Sequence, residues 1–181
     1  MKDISQDMPR TFPSLSFFHD GGDQQQNLSL LCFLVGSEAG GYVQGMSYVV
    51  AMLLLQMGEA DAYRSALTIL TPGRWFPDGY NPAFPPGYLT AWDAEFAAKL
   101  PLLKTHLDSL GLTPEMYLVD WRLSLFTRFL PLDACVRVWD TWILGGEPAF
   151  RRSCLQVMSV LGSRLGRAEE LGEAVKVLKD G

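Results

Sequence analysis

Two short stretches carry the residue types that assist phosphoryl transfer to water: Ile4-Ser5-Gln6-Asp7-Met8-Pro9-Arg10-Thr11, with an arginine, and Tyr42-Val43-Gln44-Gly45-Met46, with a glutamine. Such chemistry asks a protein to neutralise charge spreading over the transferred group and to orient the attacking water. A guanidinium suits the first task and a carboxamide the second. The sequence has no G-x-x-x-x-G-K-[ST] loop and no G-x-G-x-x-G, and Gly36, Gly40, Gly41 and Gly45 have the wrong spacing for either. The pairing therefore points to help given to a nucleotide held by another molecule.

Each residue also has a plainer reading. Pro9 and Pro13 stiffen the segment around Arg10 and hold it outside a long helix, so a stiff loop aims the guanidinium. On spacing alone, Arg10 reads more readily as the partner of Asp7 in a surface ion pair, worth about 0 to 1 kcal/mol. Gln44 sits between Gly41 and Gly45, which permit close approach of another backbone, where a glycine-rich connection enters a helix. Taken alone, it reads as a helix-start glutamine satisfying a local amide. A third patch, Trp121, Phe126, Phe129, Leu130, Pro131, Arg137, Val138, Trp139 and Asp140, is mostly core. Within it, a structural Arg137–Asp140 ion pair is favoured over a catalytic role.

Other chemistries find little support. His19 and His106 are the only histidines, without further ligands at metal spacing, and G-x-S-x-G is absent. His106, late on a helical stripe, reads as a surface or half-buried structural residue. Cys32, Cys135 and Cys154 are odd in number, widely spaced and set in apolar stretches, the pattern of buried free thiols in a reducing compartment.

Composition fits one packed domain with room for two lobes: 181 residues, 48% hydrophobic, 12% aromatic and 19% charged. A net charge of −5 without a Lys/Arg run excludes the basic stripe that nucleic acid or an anionic membrane surface requires. The longest apolar run, Tyr48 to Leu55, is far short of the roughly 18 to 20 residues that span a bilayer. The first residues lack a signal peptide's apolar core, which leads to an expected cytoplasmic location.

The elements that must position the two motifs are helices. Met46, Val49, Val50, Leu53, Leu54 and Met57 predict a helix over Gln44 to Met57, with Gln44 in or beside its first turn. Gln24 to Val35 predicts a helix stopped at Gly36, followed by the connection Ser37-Glu38-Ala39-Gly40-Gly41. Tyr63, Ala66, Leu67 and Leu70 mark a helix ended by Pro72-Gly73. Prolines and glycines make Pro72 to Gly87 a long loop. A stripe from Leu89 to Leu107 is kinked or divided by Pro101. Thr113-Pro114-Glu115 starts a helix expected to reach about Leu130, and Asp133 is expected to cap the next, which Gly145-Gly146 ends. Phe150, Cys154, Val157, Met158, Leu161 and Leu165 form another stripe, and Leu171, Ala174, Val175 and Leu178 a last short helix. No strand or repeat signal appears, so the fold class is all-α.

In this order, the motifs resemble those of the TBC domain, the family of GTPase-activating proteins for Rab GTPases. Ile4-x-x-Asp7-x-x-Arg10-Thr11 matches I-x-x-D-x-x-R-T, and Tyr42-x-Gln44-Gly45-Met46 matches Y-x-Q-G-M. Leu125-Phe126, Leu130-Pro131-Leu132 and Arg137-Val138-Trp139-Asp140 resemble the third landmark. The resemblance covers nearly the whole chain, so a single domain over 1–181 is expected. It implies that Arg10 and Gln44 are catalytic fingers offered in trans to a Rab in its GTP form. Asp7 would orient Arg10, while Tyr42 and Gly45 shape the loop under Gln44. GTP and Mg²⁺ would belong to the Rab, leaving this chain, expected as a monomer, with no cofactor of its own. A silent Rab-binding or scaffold module using the same surface is the competing reading. The family begins with a helical segment and a tryptophan-lysine motif ahead of the arginine motif, so a domain lacking that segment is expected here. The Pro72 to Gly87 loop is longer and more aromatic than the resemblance implies.

Overall fold

The computed structural model describes residues 2–18, 22, 24–73, 75, 76, 80 and 82–180; His19 lies outside them. Among the described residues all regular structure is helical, and no strand is present. The chain divides into two compact units: Met1–Pro82 with Leu123–Arg128, and Ala83–Arg122 with Phe129–Gly181.

The first unit holds α1 (Lys2–Asp7), a 3-10 turn at Met8–Arg10, a second at Ser16–Phe18, α2 (Gln25–Glu38), α3 (Met46–Gln56) and α4 (Glu59–Leu70). Every residue of α3 from Met46 to Leu54 is buried. A helix apolar on all faces must be central, and α2 and α4 pack on it. On α4 only Ala62, Ala66, Ile69 and Leu70 are buried, the narrow stripe of a surface helix.

The second unit holds α5 (Tyr88–Lys99), α6 (Pro101–Ser109), most of α7 (Glu115–Ser124), α8 (Leu132–Leu165) and α9 (Leu171–Asp180). Large aromatic rings fill its core, and their polar atoms are paired: Trp92 Nε1 donates to Tyr117 Oη at 2.8 Å and Trp121 Nε1 to the Leu178 carbonyl at 3.1 Å. Pro101 divides the Leu89–Leu107 stripe and opens α6 at a position where a missing N–H costs nothing. Gly146 breaks α8 with φ 60° and ψ −150°, a conformation reserved for glycine.

Four local expectations need correction. α2 does not stop at Gly36 but runs to Glu38, with Gly36 buried. α7 ends at Ser124, well before Leu130, because Leu125 and Phe126 adopt φ of 47° and 66°. Their side chains are 2% and 0% exposed, so core burial overrides helical continuation there. Asp133 does not cap α8. Pro131 occupies that position, and Asp133 lies exposed in the first turn, where its charge still suits the helix dipole. Arg137 and Asp140 are both exposed and form no ion pair with each other.

The three cysteines are free and buried. Burial pushes all three thiols up, Cys135 to about 12. His106 is half-buried, its Nε2 3.0 Å from the Ala168 carbonyl oxygen, in keeping with a structural role. No helix among the described residues is long and apolar enough to cross a membrane.

Candidate functional site

Asp7 ends α1 and is buried, its side chain 2% exposed. A buried carboxylate needs donors on both oxygens, and Asp7 finds them in two motifs more than thirty residues apart. Oδ1 accepts from Arg10 Nε at 2.8 Å and also from Arg10 Nη2. Oδ2 accepts from the Tyr42 hydroxyl at 2.6 Å and from the Gly45 N–H at 3.2 Å. Asp7–Arg10 is thus an ion pair, as spacing suggested, but a part-buried one that anchors two loops. Burial, and then its bond to Asp7, push the Tyr42 hydroxyl's pKa up, so it stays a proton donor.

The arginine segment is shaped locally. Met8 starts the 3-10 turn with Pro9 in its second position, Thr11 ends it in extended conformation, and Phe12 reverses the chain with φ of 48°. A non-glycine residue there costs on the order of 1 to 3 kcal/mol, offset by burial of the Phe12 ring against Phe18 and Tyr48. Thr11 Oγ1 reaches both the Asp7 carbonyl at 2.8 Å and Ser47 Oγ at 2.7 Å, tying the turn to α3.

Arg10 keeps its side chain 43% exposed. A guanidinium carries five N–H donors. Asp7 takes one on Nε and one on Nη2, which leaves both Nη1 donors and the second Nη2 donor without a partner among the described residues. The group is aimed by its inner edge and presents its outer edge.

Gln44 lies in the turn just before α3, which begins at Met46 and not at Gln44. It is exposed, and its carboxamide makes no hydrogen bond with the described chain. The amide at this helix start is met by Asp7, so Gln44 is not spent on a local amide as the plainer reading had it. Gly45 has φ of 104°, and a Cβ there would stand 3.0 Å from Tyr80 Oη and 3.3 Å from the Leu123 carbonyl oxygen. The close approach expected of the flanking glycines is therefore real at Gly45, whereas Gly41 faces open space and serves its φ of 131°.

Three contributors escaped sequence reasoning. Gly36 packs against Tyr42: a Cβ on it would meet the Tyr42 backbone at 3.1 Å. Tyr80, from the proline-rich loop, is buried, its hydroxyl donates to the Leu123 carbonyl, and it lies under Gly45. Tyr48 donates to the Arg10 carbonyl. The wealth of aromatics in the loop and the apolar face of α3 were visible signals, but not their targets.

An all-helical chain that fastens an exposed arginine and an exposed glutamine to one buried carboxylate has the makings of a helper protein for a nucleotide hydrolase. The sequence matches the Rab-GTPase-TBC domain model over residues 1–165, and the chain belongs to that family. Members of the family are in general activators of Rab GTPases. The chain is 35% identical to TBC1 domain family member 12 of Xenopus tropicalis over 161 residues, 86% of this chain and 23% of that protein. It is 34% identical to Drainin of Dictyostelium discoideum over 171 residues, 91% of this chain and 38% of that protein. It therefore spans between about a quarter and two-fifths of the length of these curated relatives. The crystal structure of the Chlamydomonas flagellar RabGAP TBC domain is similar with a TM-score of 0.78 at 25% identity, covering 98% of this chain and 60% of that one.

Proposed function

We propose that this chain accelerates GTP hydrolysis by a Rab-family GTPase, supplying Arg10 and Gln44 in trans. The observation that carries the reading is the shared Asp7 carboxylate, which fixes the arginine motif through Oδ1 and the glutamine turn through Oδ2. Two side chains that leave one anchor can enter one triphosphate pocket together. Arg10 brings its outer N–H edge to oxygens that gain charge as the γ-phosphoryl group departs. Gln44, whose carboxamide is not otherwise engaged, orients the attacking water as both donor and acceptor. GTP and Mg²⁺ are held by the Rab. An arginine supplied in this way is worth about 10³ to 10⁵ in rate, on the order of 4 to 7 kcal/mol of barrier. The protein works from the cytoplasm and reaches membranes through its partner.

The test is single-turnover GTP hydrolysis on a panel of Rab proteins with the wild type and Arg10→Lys. An ammonium reproduces neither the two-donor contact with Asp7 nor the planar contact with phosphoryl oxygens. Most of the acceleration is expected to vanish, with binding to the GTP-loaded Rab better preserved. Equal rates for wild type and the lysine variant would defeat the mechanism. A wild type that binds a GTP-loaded Rab without accelerating any would establish the silent binding module instead.

A further inference from the structure

We infer that Tyr48, in the first turn of α3, is a positioning residue for Arg10 and sets how well the guanidinium is aimed. The inference rests on the proposed role of Arg10 and extends it to a residue outside both motifs. Asp7 holds the guanidinium by its inner edge, but a side chain held only at its far end still swings with its own peptide. The Arg10 carbonyl closes a 3-10 turn, where carbonyls lack a helical partner. Tyr48 supplies that partner through its hydroxyl. Arg10 is thus held at two points, one on the side chain and one on the backbone.

The tyrosine is itself fixed. It is 5% exposed, and the Phe12 ring meets it edge-on with centroids 5.9 Å apart. The Arg128 guanidinium lies 5.7 Å from the centre of its ring. Phe12 is the residue whose positive φ turns the chain back after Arg10. One aromatic side chain therefore braces both the carbonyl of the arginine and the reversal that follows it. Rotating the Arg10 peptide by about 10° would carry a group about 6 Å away through about 1 Å, a misplacement that costs on the order of 10²-fold in rate.

Tyr48→Phe tests this, because it removes the hydroxyl and keeps the ring, its Phe12 contact and its face against Arg128. The hydroxyl's own bond to Arg128 is lost with it, so Arg128→Ala, which removes that bond and keeps the one to Arg10, is the control: it is expected to leave Arg10 exchange unchanged, and an equal quickening there overturns the inference. Two measurements are made on the whole chain. In the first, the side-chain Nε–H of Arg10 is followed by NMR, and its hydrogen exchange is expected to quicken several-fold in the variant while the melting temperature stays close to wild type. In the second, single-turnover hydrolysis on an activated Rab is expected to fall about tenfold at saturating protein, with the half-saturating concentration within about twofold. Unchanged Arg10 exchange overturns the inference whatever the hydrolysis shows. Unchanged maximal rate in a variant with quickened exchange overturns the positioning role but leaves Arg10 as a finger. If the wild type accelerates no Rab, the parent reading fails, and the exchange measurement alone still decides whether Tyr48 holds Arg10.

Discussion

Replacing Asp7 by asparagine keeps the shape of the side chain and changes only its charge and its donors. In the wild type four donors converge on two oxygens: Arg10 Nε, Arg10 Nη2, the Tyr42 hydroxyl and the Gly45 N–H. Asparagine offers one oxygen and one NH₂. With the oxygen kept toward Arg10, the NH₂ faces Tyr42, which can turn its hydroxyl to accept, and Gly45, whose N–H cannot. One buried donor is left unsatisfied, at about 1 to 3 kcal/mol. The bonds to Arg10 also lose their charge assistance, worth about 1 kcal/mol once its half-exposed guanidinium is taken into account. The expected loss is about 2 to 4 kcal/mol, or roughly 5 to 15 °C in melting temperature for a chain of this size. Residue-resolved amide exchange should locate the damage, with the Gly45 N–H losing protection by at least about tenfold. Stimulated hydrolysis should fall on the order of 10²-fold, since both side chains lose their common anchor. An Asp7→Asn variant that keeps the wild-type protection of Gly45 would refute the claim that this carboxylate ties the loops together.

Gln44→Ala is expected to reduce stimulated hydrolysis about as severely as Arg10→Lys, even on a Rab that keeps its own glutamine, with the melting temperature unchanged because the side chain bonds nothing among the described residues; full activity would remove Gln44 from the catalytic pair. Gly36→Ala should destabilise by about 1 to 2 kcal/mol in chemical denaturation, despite the roughly 1 kcal/mol that alanine gains inside a helix, because Tyr42 is pinned to Asp7 and cannot yield to a Cβ at 3.1 Å. A stabilised variant would show that Tyr42 is free to move. The three thiols should resist a thiol-reactive dye at pH 8 in the native protein and all react once it is unfolded, since burial holds them protonated and shielded; rapid native labelling of any one would contradict its placement.

How much of this was legible beforehand depends on the range over which each feature is encoded. The periodic apolar residues of α3 and α4, the division at Pro101 and the break at Gly146 are local, and each is realised. Gly36 looked like a helix stop because, in one dimension, a glycine that ends a helix and one that admits a neighbour are the same residue. Its half-buried neighbour, Tyr42, arrives only after the chain has turned back. Leu125 and Phe126 likewise read as helical, and only the demand to bury both side chains bends the backbone to positive φ.

The candidate site divides in the same way. Residue chemistry and spacing drew attention to Arg10 and Gln44 and paired Asp7 with Arg10, while the family resemblance implied that both are fingers and that Tyr42 and Gly45 lie beneath Gln44. Only the tertiary structure decided that one buried carboxylate serves both motifs, that Tyr48 and Tyr80 brace them, and that Gln44 is left with its carboxamide unspent. A hydrogen bond between residues 35 or 38 positions apart leaves no periodicity to read. It exists because folding removes water from Asp7, and a carboxylate without water must gather every donor within reach.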